Sequence, residues 1–284
     1  MRILVTGAVG RLGSRLVQTL SSHTVIGADI PEFDIADFGQ ARDFVRQVQP
    51  DLVIHPAAWT DVDGCARDPE QAIRINGFGA QNMALAAADV GAAILYVSSN
   101  EVFDGRSARP YREYDATAPI NPYGYSKWVG EQAIMRVNPR HYVVRTAWLF
   151  AHGGKNFLQT IINAAKANKP LRVVINEVAN PTYNDDLADA IAKLIETERY
   201  GIYHFVNEGA CSRYDFARYV LDHAGFASTP ITPITSQMWP RASTPPDYAP
   251  MDNLAGRTLG ITLRDWQSAV DVFLLKEGLS ATKS

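Results

Sequence analysis

The sequence predicts an α/β fold, a doubly wound parallel sheet followed by a smaller C-terminal lobe. Three observations predict it. Short β-branched runs alternate with longer stretches of helical spacing through the first two thirds of the chain, the pattern of a sheet covered by helices. Ile3-Leu4-Val5 and Leu52-Val53-Ile54 are apolar at consecutive positions, as burial on both faces of a parallel sheet requires. A glycine-rich turn over residues 7–13 follows the first run and opens the first helical stretch, the strand–turn–helix entry of a Rossmann unit.

The elements follow in order. Strands are expected at Arg2–Thr6, Thr24–Ala28, Leu52–His55, 94–98, 142–145 and 171–175. Between them, residues 11–20 carry Leu12, Leu16, Val17 and Leu20 on one helical stripe, and residues 71–90 are rich in alanine. After about residue 200 the periodicity fades. Pro230, Pro233, Pro240, Pro245, Pro246 and Pro250 crowd one segment, and residues 265–275 then read as a final amphipathic helix. Residues 1–150 and about 171–200 are expected to form the nucleotide-binding domain, and about 151–170 with 201–284 the substrate-binding lobe.

Totals narrow the function. With 46% hydrophobic and 20% charged residues, the 284-residue chain is of ordinary globular composition, and a net charge of -3 offers no footing for nucleic acid. The two cysteines, Cys65 and Cys211, form no Cys-x-x-Cys pair, so neither a metal site nor a disulfide framework is expected, and a reduced cytoplasmic setting fits. The first residues enter a strand at once, without the features of a signal peptide. No apolar run approaches the roughly 18 residues of a membrane span.

The glycine turn carries the cofactor expectation. Gly7 permits the tight turn, Gly10 lets the backbone approach a pyrophosphate, and Gly13 allows close packing of helix on strand. The helix N-terminus beginning at Arg11 and Leu12 supplies unpaired N–H groups to an anion. Asp29, about 20 residues on at the end of the second strand, is placed to bond the adenosine ribose hydroxyls. Its charge disfavours a 2′-phosphate and so tips the choice between NADH and NADPH toward NADH, while Arg11 pulls the other way.

Tyr123 and Lys127 lie at i and i+4, on one face of a helix. A free tyrosine has a pKa of about 10. An ammonium beside it stabilises the anion by roughly 1–4 kcal/mol at 4 Å, depending on the local dielectric. Such a pair suits proton delivery to a carbonyl oxygen while hydride reaches the carbon. Tyr125 has Val129 at i+4 and no such partner. Ser99, at the end of the fourth strand, offers a hydroxyl to the same oxygen, and Ser98 is expected to point to the opposite face.

With these residues in view, the chain resembles the dTDP-4-dehydrorhamnose reductase family of the extended short-chain dehydrogenase/reductases. The likeness includes Asp34-Ile35-Ala36-Asp37, Ala57-Ala58-Trp59-Thr60-Asp61-Val62-Asp63, Ile75-Asn76, Val102-Phe103-Asp104-Gly105 and Asn121-Pro122-Tyr123-Gly124. It continues through Gly130-Glu131, Arg145-Thr146-Ala147-Trp148-Leu149, Asn180-Pro181-Thr182, Tyr214-Asp215-Phe216-Ala217 and Pro240-Arg241-Ala242. The resemblance implies that Asp34 and Ile35 meet the adenine, Ala57 and Ala58 the nicotinamide side, and Lys127 the nicotinamide ribose. It implies that Thr60 and Trp148 line the sugar pocket. The implied substrate is a sugar nucleotide reduced at a C4 keto group, and relatives often pair as homodimers through helices such as the one carrying Lys127.

Two departures stand out. Where the family has Ser-Thr-Asp-Tyr-Val-Phe-Asp-Gly, this chain has Ser98-Ser99-Asn100-Glu101-Val102-Phe103-Asp104-Gly105. Glu101 therefore brings a carboxylate to a substrate-binding position that an aromatic ring holds in the relatives. The stretch Asn176-Glu177-Val178-Ala179-Asn180-Pro181-Thr182 also differs from the family's Asp-Gln-x-Gly-x-Pro-Thr. Glu101 opens a rival reading as a sugar-nucleotide 4,6-dehydratase or epimerase, against which stands Asn100 in place of the dehydratase acid. A second rival is a dinucleotide-binding regulatory subunit like that of methionine adenosyltransferase; cofactor consumption with a keto-sugar nucleotide discriminates against it.

Overall fold

The computed structural model describes residues 1–154 and 156–279. In chain order the strands are β1 (Arg2–Thr6), β2 (Thr24–Ala28), β3 (Leu52–His55), β4 (Ala93–Ser99), β5 (His141–Thr146) and β6 (Leu149–Phe150). They continue with β7 (Leu171–Val174), β8 (Val178–Ala179), β9 (Thr182–Tyr183), β10 (Gly201–His204), β11 (Cys211–Ser212) and β12 (Ile231–Ile234). The helices that position the site are α1 (Arg11–Thr19), α2 (Phe38–Val48), α3 (Gly79–Asp89), α4 (Pro122–Val137), α5 (Phe157–Lys166), α6 (Asn184–Ile195), α7 (Arg213–His223) and α8 (Trp266–Lys276).

Six strands form one parallel sheet in the order β2-β1-β3-β4-β5-β10. The pleat explains the consecutive apolar residues. Ile3 and Val5 of β1 point to one face and pack with Leu12 and Leu16 of α1 and Leu187 and Ile191 of α6. Leu4, between them, points to the other face and packs with Ala41 and Val45 of α2 and Met83 and Ala84 of α3. The strand order reverses between β1 and β3, and a crevice opens at the carboxyl ends of the strands beside such a reversal.

The smaller lobe gathers Phe150, Phe216, Trp266 and Phe273 into its own core. Two strands fall on unexpected sides of the expected division. The run anticipated at 171–175 ends at Val174, pairs in parallel with β12 and packs with Ile161, Ala217 and Leu221 of the smaller lobe. Its Arg172 is exposed, so it lacks the two-sided burial of the large sheet. The sixth strand of that sheet is β10, from a stretch assigned to the smaller lobe. Gly201-Ile202-Tyr203-His204 is a short edge strand with a single aliphatic residue, too little for a periodicity signal. Among the described residues no helix is long and apolar enough to cross a membrane.

Candidate active site

Every residue given a cofactor, catalytic or substrate role from the sequence lines one cleft of about 1570 Å³, which runs along the carboxyl ends of the strands and under the smaller lobe. At one end lies the glycine turn. Gly7 has φ +61°, and a Cβ added to Gly13 would stand 2.1 Å from the Gly7 carbonyl oxygen, so only hydrogen fits there. Gly10 caps α1 without any side-chain hydrogen bond, leaving the helix N-terminus open to an anion. Asp29 closes β2; its Oδ2 accepts from the Val9 N–H (3.2 Å) and its Oδ1 from the Ile30 N–H (2.9 Å). Asp34 is tied locally, its Oδ1 accepting from the Ala36 N–H (2.9 Å), and Asn82 donates to the Ile35 carbonyl (2.9 Å). Ala57 packs on Gly7, where an added Cβ would lie 2.9 Å from the Ala57 Cα, and Ala58 follows along the same wall. A cradle that a Cβ would fill, an uncapped helix N-terminus and a carboxylate at the second strand end fit a dinucleotide.

The other end is built on α4. Asn121 caps it, its Oδ1 accepting from the Gly124 N–H (2.8 Å), and Pro122 presets the first turn. Gly124 permits a close approach: a Cβ there would lie 2.0 Å from the Glu101 carbonyl oxygen. This contact presses Tyr123, in the first turn of α4, against the end of β4 with Ser99 and Glu101. Replacing Asn121 by alanine should cost about 1 kcal/mol of stability in a denaturant titration, the usual worth of such a cap; an unchanged midpoint would show that the cap contributes nothing.

Asn76 staples this helix to the loop after β3. Its Oδ1 accepts from the Trp59 N–H (2.7 Å), and its Nδ2 donates to the Trp59 carbonyl (3.0 Å) and to Ser126 Oγ (2.9 Å). Asn76 sits in a π-helical turn over Ile73–Phe78, the kind of irregularity often found at functional sites.

Tyr123 is half-buried and Lys127 fully buried. Burial drives the Tyr123 phenol well above its ordinary range, the charge of Glu101 adds to this, and a hydrogen bond with Ser99 works against it. This corrects the expectation that the Lys127 ammonium sets the phenol's acidity. Burial pushes Lys127 itself down to about 7, against the pull of Glu131, and its Nζ lies 4.1 Å from the centroid of the Tyr96 ring. A lysine whose charged form is disfavoured by burial has a weaker field to lend a neighbour.

The consequence for stability is testable. The unfolded chain holds the Lys127 proton up to about pH 10, the folded chain only to about 7. Between these values the unfolded state binds more protons, so this group makes stability rise with pH. Between pH 7 and 9 the rise should be smaller in Lys127→Met than in the unsubstituted protein when unfolding is followed by circular dichroism. Equal slopes would mean that the amine keeps its charge in the fold.

Ser99 Oγ accepts from the Glu101 N–H (3.2 Å), while Ser98 Oγ is buried without a hydrogen-bond partner. Tyr125 is exposed on the helix surface. Glu101 is half-buried, and Asn121 Nδ2 donates to its Oε2 (2.7 Å). Burial raises its carboxyl, opposed by that hydrogen bond and by the charges of Arg213 and Arg241. Thr60 stands exposed on the rim, and Trp148 is half-buried opposite.

Several contributors were given no role from the sequence, although Asn76 and Asn121 lie in motifs shared with the family. Asn121 and Asn76 organise the catalytic end, Tyr96 underlies Lys127, and Arg213 covers Trp148 with its guanidinium 3.7 Å from the ring centroid. Asn121 had a readable capping signal, as an Asn-Pro pair opening a helix.

Comparison with known proteins places this geometry. The model of the RmlD substrate binding domain matches residues 1–278. The spore coat polysaccharide biosynthesis protein SpsK of Bacillus subtilis is 36% identical over 275 residues, covering 96% of this chain and 96% of its own. A dTDP-4-dehydrorhamnose reductase of Mycolicibacterium smegmatis is also 36% identical, covering 95% of this chain and 84% of its own. Among solved structures, a dTDP-4-dehydrorhamnose reductase of Bacillus anthracis in complex with NADP superposes with a TM-score of 0.92 at 33% identity, covering 97% of this chain and 99% of that one. The chain is therefore an NAD(P)-dependent oxidoreductase similar to dTDP-4-dehydrorhamnose reductase, and it belongs to the RmlD substrate-binding domain family.

Proposed function

We propose that this protein reduces the C4 keto group of a nucleotide-activated 6-deoxysugar, with dTDP-4-dehydrorhamnose as the first substrate to try. The observation that carries the reading is the placement of Tyr123, Ser99 and Lys127 in the same cleft as the glycine turn of residues 7–13. A reduced nicotinamide, when bound, supplies the hydride. Tyr123 supplies the proton: burial keeps its phenol protonated until the carbonyl oxygen gathers negative charge, and the proton then passes to that oxygen. Ser99 donates a hydrogen bond to the same oxygen and steadies the developing charge. Lys127, with Asp29, Asp34, Ile35, Ala57 and Ala58, positions the dinucleotide, while Thr60, Trp148 and Glu101 face the sugar.

The Asp29 carboxylate, fixed by two backbone N–H groups at the end of β2, favours NADH over the phosphorylated cofactor. The NADP held by the Bacillus anthracis relative and the position of Arg11 in the first turn of α1 weigh on the other side. A ratio of kcat/KM for the two cofactors decides between them.

A panel of nucleotide 4-keto-6-deoxysugars, scored by loss of nicotinamide absorbance, tests the function. Oxidation with at least one member supports it. Dinucleotide binding with no oxidation across the panel would favour a regulatory subunit, and loss of water from a 4-hydroxy sugar nucleotide would favour a dehydratase, for which Glu101 is the available base.

A further inference from the structure

We propose that Arg213, stacked on Trp148, is the contact for the diphosphate of the sugar-nucleotide substrate, an inference that rests on the reductase reading above. Arg213 opens α7 and reaches into the cleft from the smaller lobe. Its guanidinium carbon lies 3.7 Å from the Trp148 ring centroid and 5.3 Å from that of Phe157. Its Nε pairs with the buried carboxylate of Glu177 (3.3 Å). Stacking and one ion pair thus fix the plane of the group at its inner edge. Neither Nη is bonded to a protein group among the described residues, and neither is sealed from solvent. A planar fork held in this way is suited to two parallel hydrogen bonds with phosphate oxygens.

The platform beneath it is itself enforced. Trp148 has φ +42°, a region that bulky side chains rarely adopt. It is held there by the pairing of β6 with β9 and by the Thr182 N–H donated to its carbonyl (3.3 Å). Backbone strain of this kind persists only where the surroundings impose it, and it clusters at ligand sites.

The other cations of the cleft are placed for other work. Arg11 and Arg15 stand on α1 beside the glycine turn, and Arg15 and Lys276 share Asp185 (3.1 and 2.8 Å). Lys127 lies over Tyr96, and Arg74 is exposed on the π-helical turn. Arg241, outside the cleft lining although its charge reaches Glu101, is bonded to Asp63 (3.0 Å). Arg213 is the cation seated on the residue that fronts the sugar. Glu101 opposes it: the carboxylate belongs to the same cluster and repels an incoming phosphate.

Titration calorimetry of the full chain with dTDP, repeated with UDP and GDP, tests the proposal. For whichever diphosphate the unsubstituted protein binds, Arg213→Gln should raise Kd on the order of 10- to 100-fold, the weight of a charge-assisted bidentate contact. Arg213→Lys should fall between, since it keeps the charge without the fork, and Glu101→Gln should lower Kd by removing the repulsion. An unchanged NADH or NADPH affinity in each variant verifies that the fold is intact. A Kd in Arg213→Gln within about threefold of the unsubstituted protein would overturn the assignment of Arg213 while leaving the reductase reading in place. Failure of the unsubstituted protein to bind any of the three diphosphates would overturn both.

Discussion

Tyr123→Phe should lower kcat for keto-sugar reduction by roughly 100- to 10,000-fold, the range that a positioned general acid contributes. The ring and its packing against the end of β4 are retained, so dinucleotide affinity should stay within about twofold. Ser99 is left in place, and its hydroxyl accounts for the residual rate by polarising the carbonyl without delivering a proton. The effect is expected to be large because nothing else stands ready to replace the phenol. Lys127 is fully buried with its Nζ against Tyr96, and Glu101 is held by Asn121. Steady-state kinetics with cofactor titration by fluorescence separates the two quantities. Near-normal turnover in this variant would remove Tyr123 from the role of proton donor.

Gly13→Ala is expected to weaken dinucleotide binding about 10- to 100-fold. A methyl at this position would lie 2.1 Å from the Gly7 carbonyl oxygen and 2.9 Å from the Ala8 Cα, both backbone atoms that cannot swing aside. The turn or α1 must shift to admit it, at a cost comparable to overpacking a core by one carbon, of order 1–3 kcal/mol. That shift moves the helix N-terminus away from the anion it would hold. Fluorescence titration with NADH and NADPH measures the loss. Because α1 also carries Leu12 and Leu16 of the large-sheet core, thermal unfolding of the same variant should show a lower midpoint. An affinity matching that of the unsubstituted chain would mean that the turn does not form the cofactor site.

The sheet was legible because two-sided burial writes apolar residues at consecutive positions in β1, β3, β4 and β5, while the edge strand β2, exposed at Thr24 and Gly27, showed only its β-branched Thr24-Val25-Ile26. β7 resembles them in composition, but Arg172 marks it as a strand with one face in solvent, a difference that only the partner strand β12 makes plain. β10 left almost no trace, since an edge strand of four residues with one aliphatic side chain carries no period. The glycine turn, Tyr123 and Lys127 were readable because their chemistry depends on local spacing: a turn, and one helical repeat.

What could not be read were effects that need distance across the fold. Burial and the Glu101 carboxylate both push the Tyr123 phenol upward, and local spacing says nothing of either. Arg213 and Trp148 lie far apart in the chain and meet through two short pairings, β6 with β9 beside Trp148 and β8 with β11 just before Arg213. Asn76 reaches Ser126 from a turn whose π-helical shape has no signature in composition.

Hydride delivery from nicotinamide to a sugar carbonyl, with Tyr123 protonating the oxygen, is most directly tested by isotope. The protein would be incubated with cofactor carrying deuterium at both C4 positions of the reduced ring and with a nucleotide 4-keto-6-deoxysugar, and the product read by NMR. Deuterium bound to sugar C4, as a single stereoisomer and in step with cofactor oxidation, is the result expected. A product without the label at that carbon, or a cofactor that stays reduced while the sugar nucleotide is bound, would contradict it.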